Sequence, residues 1–426
     1  MTLLQFGSTG PAVQLLQLAL TRAGFDPGKT DGIFGVRTQT VLKNFQTKNA
    51  LRADGIVGPR THRALMPWYL GYTSHTIVKG DTLYKIALSH GSSIRAIETA
   101  NPGVDPLNLT IGTSLVVPLP FDVTPTEINW CSTLVGYAAR GLAARYPFLS
   151  VGELGRSVMG RPLYYISAGS GSRHVFFSAA IHANEWITTP MMFKYIEELS
   201  AAYAQDGDIC GLPARDIFRR STIYFAPSLN PDGMDLVTGE LQDGAYYRAA
   251  AAMAGNYPDI PFPEGWKANI SGVDLNLQFP AEWEKARAIK FALGYTSPGP
   301  RDFVGLAPLS ARESRALYNF TRQLSPDLIL SYHTQGQVIF WQYLDYEPVN
   351  SREIADALAR VSGYSVESTP YESGFAGYKD WFISEYDRPG YTIEAGLGTN
   401  PLPLSQFDQI YKENRCLMTV AATIEG

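Results

Sequence analysis

The sequence predicts an α/β catalytic domain, a mixed sheet flanked by helices, preceded by a small three-helix module and a small βααβ module. Three observations carry this. From about Thr126 onward, continuous apolar runs alternate with helical patterns, as expected of central strands covered on both faces. Nearer the N-terminus, Asp31-Gly-Ile-Phe-Gly-Val-Arg-Thr38 is echoed in the same phase by Asp54-Gly-Ile-Val-Gly-Pro-Arg-Thr61, 23 residues later, the mark of a repeated structural unit. Between these regions, residues 75–118 read as strand, helix, helix, strand. At 426 residues, 45% hydrophobic and 18% charged, the chain has material for two or three domains.

In the first module, Val13, Leu16 and Leu20 share one face of a predicted helix over Ala12–Leu20. Each Asp-Gly reads as a turn, and each Thr stands ahead of an amphipathic stretch: Val41, Leu42 and Phe45 after the first, Ala64 and Leu65 after the second. Gly10-Pro-Ala-Val-Gln-Leu-Leu-Gln17, the two turns and Phe45-Gln46 resemble the helical peptidoglycan-binding domain of wall hydrolases. The expected domain spans 1–68.

In the second module Thr76–Val78 reads as a strand, Lys79-Gly-Asp-Thr82 as a turn ending in an N-cap, and Leu83–Leu88 as a helix. Ile94–Thr99 gives a second helix closed by Asn101-Pro102-Gly103, and Ile111–Pro118 returns as a strand. Val-Lys-Gly-Asp-Thr-Leu, Asn-Pro and Ile-Gly-Thr-Ser-Leu-Val-Val-Pro, in this order, resemble a LysM domain, expected over 74–119. That resemblance implies binding of N-acetylglucosamine-containing glycans. Pro118–Pro125 is expected to act as a semi-rigid linker.

Charge separates the two ends. Residues 1–120 carry 11 Lys+Arg against 6 Asp+Glu, and the remainder 24 against 34. The front is basic but without a cluster, which excludes a nucleic-acid footprint and suits an anionic wall polymer. No run is long enough to span a bilayer, and Met1-Thr-Leu-Leu-Gln-Phe-Gly lacks the features of a secretory signal. The expectation is synthesis in the cytoplasm and action on a cell wall or spore wall. Cys131, Cys210 and Cys416 show no CxxC spacing, so free buried thiols are expected.

The catalytic domain is expected over 126–426, with strands Leu163–Ser167, His174–Ile181, Thr222–Pro227, Leu328–Tyr332, Val338–Gln342 and Tyr391–Ile393. Thr189 and Pro190 read as N-cap and first residue of a helix through Tyr203. His182 and Glu185 follow one strand, and His333 and Glu394 end two others. In open α/β sheets ligands bind outside the carboxyl ends of strands. Two imidazoles and a carboxylate supply three of the four positions of a catalytic zinc. There is no His-Glu-x-x-His and no Gly-x-Ser-x-Gly at a strand-to-helix turn.

His182-x-x-Glu185, Asn230-Pro-Asp-Gly233, Gly272-Val-Asp-Leu-Asn276, Tyr332-His333 and Tyr391-Thr-Ile-Glu394 resemble, in order, the zinc carboxypeptidase family. The resemblance implies an eight-stranded mixed sheet and one zinc ion per chain, held by His182, Glu185 and His333. It implies Glu394 as general base and Asp274 as the carboxylate that orients a ligand histidine. Tyr371 loosely matches the mobile tyrosine that closes over substrate.

The departures carry information. Leu277 stands where digestive members have an Arg that grips a free C-terminal carboxylate, and Asn184 replaces another family Arg. Asn276 remains as a substrate hydrogen-bond donor. Lys267, in Trp266-Lys-Ala-Asn269, best replaces the oxyanion-stabilising Arg, with Arg248 a weaker substitute. With the wall-binding front, the pattern resembles bacterial γ-D-glutamyl-diamino acid endopeptidases. The expected partners are therefore the glycan strands and stem peptides of peptidoglycan, as in an enzyme of sporulating cells. The alternatives are a carboxypeptidase releasing C-terminal residues and a wall-binding protein with an inactive catalytic domain.

Overall fold

The computed structural model describes residues 3–424; Met1 and Thr2, where the N-terminal reading begins, and Glu425 and Gly426 lie outside the described residues. The chain forms two compact units, residues 1–150 and 151–426.

In the first unit the helices Pro11–Arg22, Val36–Lys48 and Pro59–Leu70 make a three-helix module. Val13, Leu16, Leu20, Leu42, Phe45 and Leu65 are fully buried at its centre. The echoed turns are held in the same way. Gln17 Nε2 donates to Asp31 Oδ1 (2.9 Å), Ile33 O and Thr38 Oγ1, while Gly32 N donates to Gln17 Oε1 (2.9 Å). Gln46 Nε2 donates to Asp54 Oδ1 (2.9 Å), Ile56 O and Thr61 Oγ1, while Gly55 N donates to Gln46 Oε1 (2.9 Å). The repeat is thus a buried amide from one helix closing the turn that leads to the next. Thr38 and Thr61 are buried partners inside helices that start before them, not residues ahead of a helix.

The second module pairs β1 (Tyr72–Thr76) antiparallel with β2 (Ser114–Pro118). Helices Leu83–His90 and Ile94–Ala100 are capped by Thr82 and Ser93 side chains. β1 covers Tyr72–Thr76 rather than the expected Thr76–Val78; Ile77, just past its end, still bonds Thr113 O and Gly112 N through its backbone while its side chain joins the core with Leu83, Ile86, Ile97, Leu115 and Val117. Asn101 donates to Ile97 O and Val116 O and accepts from Val116 N, fastening the second helix to β2. Pro118–Pro125 is packed rather than free: Val123 is buried, and Arg145 donates to the carbonyls of Gly71, Leu119 and Phe121.

The remaining strands are β3 (Ser150–Arg156), β4 (Pro162–Ala168), β5 (Arg173–Ala179), β6 (Asp208–Ile209), β7 (Leu212–Pro213), β8 (Ser221–Ala226), β9 (Leu328–His333), β10 (Val338–Phe340), β11 (Ser365–Glu367) and β12 (Gly390–Glu394). β6 and β7 form a short pair of their own, and the other eight make one sheet in the order β11-β10-β12-β9-β5-β8-β4-β3. Its centre, β12-β9-β5-β8, is parallel, with β10 and β4 antiparallel on either side. Every residue of β9 is buried, as expected of a central strand covered on both faces.

Two expectations are corrected. The helix after β5 begins at Thr188 with Ile187 as its cap, because Thr189 Oγ1 donates to Pro227 O (2.7 Å) beyond β8. Cys210 and Cys416 are joined in a disulfide, leaving only Cys131 free. The fold brings the β6–β7 turn and the helix Phe407–Thr423 together across 206 residues, a pairing that local spacing does not encode.

Replacing Gln46 with Leu leaves Gly55 N and the Asp54 and Thr61 oxygens without their shared partner. It should lower the stability of the first module by about 1–3 kcal/mol, read as loss of hydrogen-exchange protection at Gly55 and a lower unfolding midpoint.

Candidate metal centre

The centre stands at the carboxyl ends of adjacent parallel strands. β9 and β12 pair with Glu394 opposite His333, and β5 and β9 pair with Ala179 opposite Tyr332. After β5 the chain turns into His182 and a single 3-10 turn, Ala183–Glu185. His182 Nδ1 lies 3.0 Å from Glu185 Oε1, and His333 Nδ1 lies 2.9 Å from Glu185 Oε2 and 3.2 Å from His182 Nδ1. The three side chains can present one ligand atom each within 4.8 Å of one another. A tetrahedral ion about 2.1 Å from each donor would hold them roughly 3.4 Å apart. The set fits zinc in spacing and in its two-nitrogen, one-oxygen chemistry.

The supports come from distant loops. Asp274 Oδ1 faces His182 Nε2 at 3.2 Å, while Asp274 Oδ2 accepts from Asp302 N at 3.1 Å. A carboxylate on the far ring nitrogen fixes the imidazole's tautomer and orientation. Asn230 Nδ2 donates to Ile181 O and Ala268 O, and Asn230 Oδ1 accepts from Gly233 N. The Asn-Pro-Asp-Gly motif is therefore a brace between the His182 loop and the Lys267 segment. Asp232 of the same motif is buried and receives Ser157, Met159 N and Arg161.

Lys267 Nζ is 3.0 Å from Glu185 Oε1. Burial disfavours its ammonium form, but the carboxylates of Glu185, Glu394 and Asp274 outweigh that and raise its pKa. Burial likewise opposes charge on His182, yet Glu185 and Asp274 push it up to about 9. For Glu185 burial is outweighed by His182, Lys267 and His333, which hold the carboxyl well below the usual range. Glu394 differs: burial pushes its carboxyl up, with Glu185 adding to the effect.

A cavity of about 700 Å³ opens over these groups and is lined by His182, Glu185, His333, Glu394, Lys267 and Asp274, with Asn276 and Leu277. Asn276 Oδ1 accepts from Tyr378 N at 3.0 Å. Tyr371 is not brought in: it is 66% exposed, set edge-on to Phe375, and its neighbours Thr369, Pro370 and Ser373 line the cavity instead. Arg248 is exposed and outside the cavity wall. Sequence reasoning missed Arg301, Lys290 and Asp302, which line the same wall, and the buried pair Lys379–Asp380 at 2.7 Å. The loop carrying Arg301 offered no pattern.

The zinc carboxypeptidase model matches residues 137–416. The chain belongs to the zinc carboxypeptidase family. It is a zinc metallopeptidase carrying two further modules, since a peptidoglycan binding domain matches residues 9–65 and a LysM domain residues 75–118. The peptidase is 41% identical over 273 residues to the gamma-D-glutamyl-L-diamino acid endopeptidase 1 of Lysinibacillus sphaericus, covering 64% of this chain and 67% of that one. Over 82 residues it is 40% identical to the spore cortex-lytic enzyme of Bacillus cereus, covering 19% of this chain and 31% of the other. Its fold is shared by the carboxypeptidase A of Helicoverpa armigera, with a TM-score of 0.54 at 19% identity, covering 91% of this chain and 86% of that one.

Gly233 admits no side chain, because a Cβ there would lie 2.7 Å from Ala183 Cβ and 2.8 Å from Ala268 O. Replacing it with Ala should destabilise the peptidase by about 1–3 kcal/mol and weaken its hold on zinc, measured by melting and by competition with a chromophoric chelator.

Proposed function

We propose that this peptidase hydrolyses the γ-D-glutamyl amide bond to a diamino acid in peptidoglycan stem peptides, with its front modules, bounded near 1–68 and 74–119, holding the wall and residues 126–426 carrying the chemistry. The observation that carries the reading is Leu277. It lines the cavity yet packs into the core with Leu275, Phe279 and Tyr378. An apolar side chain cannot pair with a free C-terminal carboxylate, so the amine side of the cleaved bond is suited to a residue whose α-carboxyl is already in peptide linkage. Similarity to an endopeptidase of that bond type supports the same substrate, and the two wall-associated family matches support peptidoglycan as its setting.

His182, Glu185 and His333 would hold the zinc, which when bound lowers the pKa of water and polarises a carbonyl. Glu394, whose carboxyl is raised by burial, accepts the proton of the attacking water and returns it to the leaving nitrogen. Lys267 offsets the negative charge that gathers on the carbonyl oxygen. Asp274 keeps His182 turned toward Glu185, and Asn276 donates to the substrate from the cavity wall.

Incubating the protein with defined tripeptide and tetrapeptide stems, and reading products by mass, should show scission at the γ-D-glutamyl bond that a chelator abolishes and zinc restores. Release of C-terminal residues with that bond intact would instead mean a carboxypeptidase, and no turnover with zinc bound would mean a wall-binding protein alone. Replacing Glu394 with Gln should cut turnover by about 10²- to 10⁴-fold while stoichiometric zinc stays bound; loss of metal would mean that Glu394 has a different role.

A further inference from the structure

Arg301 lines the cavity without a task in that mechanism, and its assignment rests on the γ-D-glutamyl reading. Arg301 follows Pro300, whose carbonyl accepts from the backbone nitrogens of Lys267 (2.7 Å) and Ala268 (2.9 Å). The guanidinium therefore belongs to the segment laid against the lysine that faces Glu185. One edge of it is fixed: Arg301 Nε lies 2.6 Å from Asp302 Oδ2, and Lys290 Nζ holds Asp302 Oδ1 at 2.7 Å. Asp302 N is in turn bonded to Asp274 Oδ2 at 3.1 Å. The other edge is not used. Among the described residues no acceptor is bonded to Nη1 or Nη2, and the side chain, 41% exposed, lines the cavity. A guanidinium anchored through Nε and open at its two terminal nitrogens is shaped for a planar, two-oxygen acceptor.

We propose that Arg301 binds the free α-carboxylate that a γ-linked glutamyl residue carries on the acyl side of the cleaved bond. A γ-amide leaves that carboxyl outside the bond, so an anion lies only a few bonds from the carbonyl under attack. Lys267 is the cation assigned to that carbonyl's oxygen, and the backbone bonds from Lys267 to Pro300 hold Arg301's segment beside it. The amine side is where Leu277 stands.

The test compares two stem tetrapeptides, one with D-glutamate and one with D-isoglutamine, in which that carboxylate is an amide. The zinc-loaded full chain should favour the carboxylate substrate in kcat/KM by roughly 10- to 100-fold, mostly through KM, the range for losing a hydrogen bond to a charged group. Arg301→Gln should lose that factor on the carboxylate substrate and leave the amide substrate unchanged, with Arg301→Lys recovering part of it. Equal rates of the unaltered protein on both substrates would overturn the assignment, and so would an equal loss on both in Arg301→Gln. If that variant fails to fold, judged by its zinc content, the two-substrate comparison on the unaltered protein decides alone. Absence of γ-glutamyl scission in either substrate overturns the parent reading and this one with it.

Discussion

The register of three parallel strands underlies everything else in the catalytic unit. β5, β9 and β12 lie side by side with Ala179 opposite Tyr332 and His333 opposite Glu394, so one backbone ladder sets His333 and Glu394 next to each other. Side chains alternate faces along a strand, and a slip of one residue would send His333 and Glu394 to opposite sides of the sheet. Burial of the whole of β9 pins that register by its apolar content. The loops then complete what the strands begin, Asn230 tying the His182 turn to the Lys267 segment and Asp274 setting the ring of His182.

The electrostatics follow from that geometry. Glu185, Asp274 and Glu394 converge with two histidines around one cavity, and one lysine is paired into the group. The surplus of carboxylate over fixed positive charge suits a divalent cation. It also separates the acids by role: Glu185 and Asp274 are driven toward the charged form by their neighbours, while burial raises Glu394. Two carboxyl populations pulled in opposite directions are what a ligand set and a proton carrier require of one small site.

Much of this was legible in the sequence because strand ends are local. His182, Glu185, His333 and Glu394 each follow an apolar run, and the runs reveal the strands whose ends they occupy. The repeated Asp-Gly turns were equally plain, but their cause was not: Gln17 and Gln46 act from the preceding helix, 15 and 9 residues before the glycines they bind. What escaped the sequence was decided by long-range packing. Thr189 has the composition of a cap, yet its hydroxyl is drawn to Pro227. Cys210 finds Cys416 across the fold, and Arg301 reaches the cavity from an irregular loop whose neighbours say nothing of metal or substrate. Tyr371 shows the converse, a residue placed by motif that packs on Phe375 at the surface.

The helix Phe407–Thr423 binds the sheet in more places than its disulfide. Its Ala422 O accepts from Ser221 of β8 and its Ala421 O from Arg173 of β5, across 201 and 248 residues. Glu413 meanwhile receives Gln337 and Tyr364 near β10 and β11. Both flanks of the sheet are thus gathered by one late segment. Contacts this far apart in sequence form slowly, because chain ends must meet before the bonds can reward them. The ordering has a vectorial side: every strand of the sheet precedes this helix in the chain, so the bonds that gather both flanks can form only after all the strands have been made.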